Sequence, residues 1–284
     1  MTPDEDDRPL VAGVVGWPVR HSRSPLLFEH WFARHGVPGR YVPLAVAPND
    51  FRAVFEALPK AGLRGVNVTL PHKEAALALA DEASEAACAI GAANTVVFDP
   101  VRGRVADNTD GYGFAQNLRA GAPGWDPKAG PALVLGAGGA ARAILHALLA
   151  EGVPALRLAN RSRERAETLA DHFGRDRVET VDWSERATAV DGAALVVNTT
   201  SLGMTGKPAL DLALAALDPG AVVTDIVYAP LRTDLLREAE RRGARTVDGL
   251  GRLLHLARPG FRAWFGPDPT VDDALRAACL EAAA

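Results

Sequence analysis

The run Ala132-Leu-Val-Leu-Gly-Ala-Gly-Gly-Ala-Ala-Arg-Ala-Ile-Leu-His-Ala-Leu-Leu149 leaves few folds open to this chain. Leu133, Val134 and Leu135 read as a buried strand, Gly136, Gly138 and Gly139 break it, and Ile144, Leu145 and Leu148 recur at helical spacing. Strand, tight turn and helix together form the opening unit of a doubly wound sheet. Gly136, Gly138 and Ala141 fit the G-x-G-x-x-G/A fingerprint, whose small residues let a pyrophosphate approach the free N–H groups of a helix start. A glycine turn also arises for steric reasons alone. Here both flanks are legible, so the stretch predicts a dinucleotide site.

The rest of the chain alternates in the same way. At 284 residues it exceeds the usual single-domain size of roughly 100 to 200 residues, which predicts two domains. Strands are expected at 11–16, 41–46 and 65–69. Between them lie a helix from about 24 to 34, with Ser24 as N-cap and Pro25 at the first helical position, and a helix carrying Phe51, Val54, Phe55 and Leu58, capped by Asn49 or Asp50. A third helix, 71–80, has Pro71 in its first turn. This order predicts an α/β layer with mainly parallel pairing. Ile90–Phe98 reads as a loop entering a strand, and Ala106–Gly113 as polar turn, ahead of a helix to about Leu118. Gly121–Pro131 is the linker candidate. Beyond the fingerprint come strand 155–159, helix 163–173, strand 178–181, a short helix, strands 194–198 and 221–227, helix 233–241 and strand 245–247, a doubly wound Rossmann pattern. Helix resumes from Gly249 to about Ala263, and an Ala-rich helix follows.

Several function classes drop out. A net charge of −4 speaks against a nucleic-acid partner, and no run of about 18 apolar residues is present to span a membrane. Met1–Arg8 is acidic and polar, which predicts a frayed tail rather than a secretory signal, and a cytoplasmic protein. Cys88 and Cys279 lack disulfide or zinc spacing and read as packing residues, and the seven histidines show no ligand spacing, so no metal is expected. No heptad seam or large exposed apolar stripe stands out to set the oligomeric state, and a monomer or homodimer is the expectation.

The second strand of the Rossmann pattern tells which nicotinamide cofactor fits. An acidic residue at its end reads the free ribose hydroxyl of NAD, whereas arginine accommodates the 2′-phosphate of NADP. This chain has Asn160, Arg161 and Ser162 there, with Arg165 one turn on. Cations crowded into a helix's first turn, where Asp and Glu are favoured, suggest an anionic ligand, and NADP is expected. Reduction of a carbonyl also needs a proton donor beside the hydride acceptor, and Lys73, at a helix start, and Asp110, in a loop, are the candidates. A surface salt bridge is the competing reading of that pair. Asn67 and Thr69 share one face of the strand leading to Lys73. With Ser22, Ser24, Asn94, Asn108 and Thr109 they suit a polyhydroxylated substrate, although Ser24 as a cap and Asn94 as a turn residue are equally open.

Taken together, His21-Ser-Arg-Ser-Pro25, Asn67-Val-Thr-Leu-Pro-His-Lys73, Gly91-Ala-Ala-Asn-Thr95, Asn108-Thr-Asp-Gly111, Gly136-Ala-Gly-Gly-Ala140, Asn160-Arg-Ser162, Asn198-Thr-Thr-Ser-Leu-Gly-Met204 and Asp248-Gly-Leu-Gly251 resemble the shikimate dehydrogenase family, in family order from about residue 10. The resemblance implies reversible NADPH-dependent reduction of 3-dehydroshikimate to shikimate, in the route to chorismate and aromatic amino acids. It implies Lys73 and Asp110 as the catalytic pair and Ser22, Ser24, Asn67, Thr69, Asn94, Asp110 and Tyr228 around the substrate. It places Gly136, Ala137, Gly138, Gly139, Ala140, Asn160, Arg161, Ser162, Arg165, Thr199, Met204 and Gly249 along the cofactor. It also implies a discontinuous substrate domain, 1–110 with 250–284, an NADP domain, 111–249, and a cleft between them, with glycines at 111, 113, 249 and 251 as hinge candidates.

The chain departs from the family at one telling place. The family usually carries a glutamine in the helix after Asp-Gly-Leu-Gly, donating to a substrate hydroxyl, and here Leu256 stands there. Leucine cannot donate, so weakened shikimate binding is expected unless water or a neighbour such as His255 substitutes. The same change keeps open a paralogue acting on quinate or an aminoshikimate, and a non-catalytic NADP-binding protein is a third reading. Ser162 for the more frequent threonine is milder, since both supply a hydroxyl.

Overall fold

Alternating strands and helices build two separate parallel-rich sheets, and the computed structural model describes residues 9–281 of them. The segment expected as a frayed tail, Met1–Arg8, lies outside the described residues. The chain divides into two compact units: unit 1 runs up to Thr109 and resumes at Leu256, and unit 2 is Asp110–His255.

Unit 1 contains β1 (Val11–Gly16), α1 (Ser24–His35), β2 (Arg40–Ala45), α2 (Phe51–Ala57), β3 (Gly65–Val68), α3 (Lys73–Ala78), β4 (Glu82–Ala83), α4 (Glu85–Ile90), β5 (Thr95–Asp99) and β6 (Gly103–Asp107). The sheet order is β2-β1-β3-β5-β6-β4. β1 pairs in parallel with β2 and β3, and only β5 runs against its neighbours. β5 is the strand expected up to Phe98, whereas β6 runs into what the sequence suggested was polar turn from Ala106. β6 has a single buried residue, Ala106, so it shows no apolar run to read.

One face of this sheet buries Val15, Phe51, Phe55, Val66, Val68, Val96 and Phe98. On α1 and β2, Phe28 stacks on Tyr41 at 3.8 Å between ring centroids. From beyond unit 2, Phe261, Trp264 and Phe265 return to this cluster. Trp264 Nε1 donates to Val96 O at 3.2 Å, and a Cβ on Gly65 would come within 2.0 Å of that nitrogen. That close approach ties the late helix to the first sheet.

Two expected helix starts are corrected. α1 begins at Ser24 itself, after Arg23 in αR conformation, so Ser24 is not the N-cap. α2 follows a 3-10 turn at Pro48–Asp50 and has Asp50 at its N-cap position as expected, though without a side-chain cap bond. α3 starts at Lys73, leaving Pro71 outside it. Cys279 is buried, as a packing residue should be, whereas Cys88 is exposed on α4.

Unit 2 contains α5 (Asp110–Gly121), β7 (Ala132–Leu135), α6 (Gly139–Ala150), β8 (Leu156–Asn160), α7 (Arg163–Phe173), β9 (Val178–Asp182), β10 (Leu195–Asn198), β11 (Val222–Asp225), α8 (Asp234–Arg241) and β12 (Arg245–Val247). Its sheet is parallel throughout, in the order β12-β11-β10-β7-β8-β9. The chain order reverses between β7 and β10, where doubly wound sheets bind ligands. The central strands β7, β10 and β11 are buried on both faces. Val134, Leu158 and Val197 pack with Ile144 and Leu148 on one side, and Leu133, Leu135, Val196 and Val223 with Leu235 and Leu236 on the other. α9 (Leu250–Phe265) carries the chain back to unit 1, and α10 (Asp273–Glu281) follows it.

Candidate active site

Unit 1 gathers its polar side chains where β1 and β3 end. The two strands run in parallel register from Ala12↔Gly65 to Val15↔Val68, so their C-terminal ends lie together. Ser22 and Ser24 follow β1, Asn67 lies in β3, and Thr69 and Lys73 follow it. β5 starts across from Asn67, in the pair Asn67↔Thr95, which brings Asn94 to the same edge.

Ser24, Asn67 and Asn94 join one hydrogen-bonded chain. Tyr41, bonded also to Ser24, donates its hydroxyl to Asn67 Oδ1 at 2.7 Å. Asn67 Nδ2 donates to Asn94 O at 3.1 Å and to Thr95 Oγ1 at 3.0 Å. Asn94 Oδ1 accepts from Thr95 Oγ1 and from Thr109 N, and Thr109 Oγ1 donates to Leu256 O at 2.8 Å. Asn67, Asn94, Thr95 and Thr109 are all buried, and burial satisfied in this way fixes each amide's orientation. Burial pushes the Tyr41 phenol well above its usual range, against the opposing pull of Ser24, so it acts as a neutral donor. Ser22 Oγ accepts from Ser24 N at 3.3 Å. The half-buried Lys73 is anchored through its carbonyl, which accepts from Ala93 N, and His72 beside it stacks on Phe51. Tyr41 and Thr95 were not singled out in the sequence. Their signal is the strand register, which spacing along the chain does not display.

In unit 2 the glycine turn follows β7 directly. Gly136 takes φ +105°, and a Cβ there would lie 2.6 Å from Thr199 Oγ1, so conformation and packing both require glycine. Gly138 and Gly139 differ: a Cβ on either would meet nothing within 4 Å. They leave open space above the first turn of α6, whose N-cap is Gly138 with no side chain capping the N–H groups. Thr199 Oγ1 donates to Leu135 O at 2.7 Å and closes the switch point.

The turn after β8 fits a dinucleotide with a 2′-phosphate. Asn160 is spent on backbone, accepting from Ala137 N at 3.2 Å and donating to Ser162 O at 2.8 Å, so it fastens this turn to the glycine turn. Ser162 precedes α7 without a side-chain cap bond. Arg163 is committed to Glu167 and Asp182. Arg161 and Arg165 are exposed and make no hydrogen bond or ion pair among the described residues. Two uncommitted guanidinium groups beside a carboxylate-free strand end match an added phosphate.

Asp110 is the first residue of α5 rather than a loop residue. It is 5% exposed, and Oδ1 accepts from Arg252 Nη2 at 2.8 Å. Tyr228 and Met204 sit on neighbouring loops, joined where Thr205 N donates to Ala229 O. Behind Tyr228, the buried Asp225 carboxylate accepts from Asn198 Nδ2, Val227 N and Thr233 Oγ1. Desolvation pushes its pKa up to about 6 despite these three donors. Three of the hinge candidates sit in close packing. A Cβ on Gly249 would lie 2.3 Å from Ile226 O, on Gly251 1.9 Å from Asn117 Oδ1, and on Gly111 2.9 Å from Ala143 O. These glycines serve close packing.

Comparison with known proteins agrees with this geometry. A family model described as the shikimate dehydrogenase substrate binding domain matches residues 14–96, and one described as shikimate / quinate 5-dehydrogenase matches residues 126–205. A protein of Cereibacter sphaeroides named shikimate dehydrogenase (NADP(+)) is 56% identical over 96% of this chain and 97% of its own length. A relative of that name from Paramagnetospirillum magneticum is 57% identical over 95% and 98%. Among solved structures, shikimate 5-dehydrogenase from Thermus thermophilus in complex with NADP(H) and shikimate superposes with TM-score 0.84 at 36% identity, covering 96% of this chain and 99% of its own. Quinate dehydrogenase from Corynebacterium glutamicum in complex with NAD gives 0.88 at 32%, covering 96% and 99%. By the fold, the polar strand ends and these matches, the chain belongs to the shikimate dehydrogenase family.

Proposed function

We propose that this chain catalyses the reversible reduction of 3-dehydroshikimate to shikimate with NADPH, a cytoplasmic step toward chorismate and aromatic amino acids. The observation that carries the reading is the buried network Ser24–Tyr41–Asn67–Asn94 at the end of the strand that leads to Lys73. Hydroxyls and amides held in fixed orientations suit a polyhydroxylated ring, and the chain is 54–57% identical to relatives named shikimate dehydrogenase (NADP(+)). Leu256 favoured no other substrate strongly enough to outweigh that similarity.

NADPH, when bound, supplies the hydride. The N–H groups and small residues Gly136, Ala137, Gly138, Gly139 and Ala140 hold its pyrophosphate, while Arg161, Ser162 and Arg165 take the 2′-phosphate. Asn160 braces that turn. Thr199, Met204 and Gly249 wall the cofactor side. Ser22, Ser24, Asn67, Thr69, Asn94 and Tyr228 orient the substrate. Lys73 gives a proton to the oxygen that becomes a hydroxyl and takes it back in the reverse direction, with Asp110 as its anionic partner.

Following NADPH absorbance with 3-dehydroshikimate tests this directly, with NADH and with quinate plus NAD as comparisons. Turnover is expected to be fastest with 3-dehydroshikimate and NADPH. No NADPH oxidation, or faster turnover of quinate with NAD, overturns the reading. Lys73→Ala should lower kcat by on the order of 10² to 10⁴ with a smaller change in KM. Equal kcat removes Lys73 from the mechanism.

A further inference from the structure

The Asp110 carboxylate is held from two directions inside unit 2. It stands at the start of the twelve-residue α5, where a helix favours negative charge, and it receives Nη2 of Arg252 at 2.8 Å from the first turn of α9. The two side chains are 6% and 17% exposed and lie 142 residues apart in sequence. The backbone that delivers Arg252 has little room to move. Asn117 Nδ2 donates to Asp248 O at 2.7 Å, Asp248 Oδ1 accepts from Leu250 N at 3.0 Å, and Gly251 is pressed against Asn117. α5 and the start of α9 are therefore clamped beside the pair.

We propose that Arg252 is a positioning residue for the reaction: it fixes the Asp110 carboxylate in one orientation as a permanent negative charge, so that Lys73 alone carries the proton. The proposal rests on the function given above. A buried carboxylate without a cation either turns toward other donors or takes up a proton, and a guanidinium, which stays charged, prevents both. A carboxylate so held is a poor proton carrier and a good fixed charge for orienting an ammonium group. The contact is a single N–H to one oxygen, so a lysine ammonium can restore part of it.

The test is a cycle of full-length variants, Arg252→Met, Arg252→Lys, Asp110→Asn and the Arg252→Met/Asp110→Asn double, assayed with 3-dehydroshikimate and NADPH. Arg252→Met should lower kcat about tenfold and leave KM for NADPH within about twofold, and Arg252→Lys should recover a substantial part of the loss. In the Asp110→Asn background the methionine change should have less than about a twofold effect, because the group it positions is gone. Unchanged kcat in Arg252→Met, or an equal loss with and without Asp110, overturns the role. Should Arg252→Met fail to fold, Arg252→Gln, which keeps a donor and loses the charge, takes its place in the same cycle. No wild-type turnover overturns the proposed reaction and this role with it, whereas normal wild-type turnover with unchanged Arg252→Met overturns this role alone.

Discussion

In unit 1, Asn67, Asn94, Thr95 and Thr109 are buried and spend their side chains on one another, whereas in unit 2 Gly138, Gly139, Arg161 and Arg165 face open space and touch little. One site is organised before anything binds. The turns of unit 2 instead present exposed small residues and guanidinium groups at strand ends. The difference follows from chemistry: a ring with several hydroxyls demands fixed partners at fixed angles, while a phosphate is satisfied by charge and by any N–H groups in reach. Substitutions in unit 1 should therefore cost stability and activity together, and those in the open turns of unit 2 should cost cofactor affinity alone.

The sharpest break of that contrast is the double change Arg161→Ala/Arg165→Ala. Each lost charge-assisted bond to the 2′-phosphate is worth about 1.5 to 3 kcal/mol, so NADPH affinity should fall at least about a hundredfold. Neither arginine contributes an internal contact, so the thermal midpoint and the affinity for NADH should stay put. Fluorescence titration of both cofactors decides it, and equal losses for NADPH and NADH would place the 2′-phosphate elsewhere.

Asp225 shows that unit 2 also contains a closed network, and pH exposes it. Its folded-state pKa of about 6 lies above the ordinary carboxylate value, so the folded state holds this proton more tightly than the unfolded one. The stability this confers is complete below about pH 4 and is lost as pH rises to about 6, on the order of 3 kcal/mol. Asp225→Asn should abolish that part of the slope. Its urea midpoint should gain on the wild type between pH 4 and 7, and parallel curves would show that the carboxylate is not the titrating group.

In unit 1, Asn67→Ala should strand the buried Tyr41 hydroxyl and lower stability by about 1 to 3 kcal/mol, while raising the KM for shikimate. A raised KM without loss of stability would mean that the network is not preorganised.

The same contrast governs what the sequence could disclose. The glycine turn, helix 163–173 and strand 245–247 were legible because each depends on neighbours along the chain. Tyr41 on Asn67 and Arg252 on Asp110 are partners 26 and 142 residues apart, brought together by register and by the return of α9, which no local spacing encodes. Asp110 looked like loop because Asn108-Thr-Asp-Gly111 reads as a turn. The helix begins there because an acidic residue suits its first position and Asn94 Oδ1 takes the N–H of Thr109 just before it. β6 was hidden for the opposite reason, since only its Ala106 is buried and no period prints.

Leu256 offers the smallest effect and the finest probe. It belongs to unit 1, is half-buried, and gives only its carbonyl to the network, as acceptor for Thr109 Oγ1. Its side chain offers no donor or acceptor of its own. Leu256→Gln supplies the donor usual in the family without touching that carbonyl, so stability should change little. One recovered bond to a neutral substrate hydroxyl is worth about 1 kcal/mol, or roughly a fivefold lower KM for shikimate with kcat nearly constant. A lower KM would show that unit 1 is preorganised everywhere except at this position. An unchanged or higher KM would mean that another group already serves that hydroxyl.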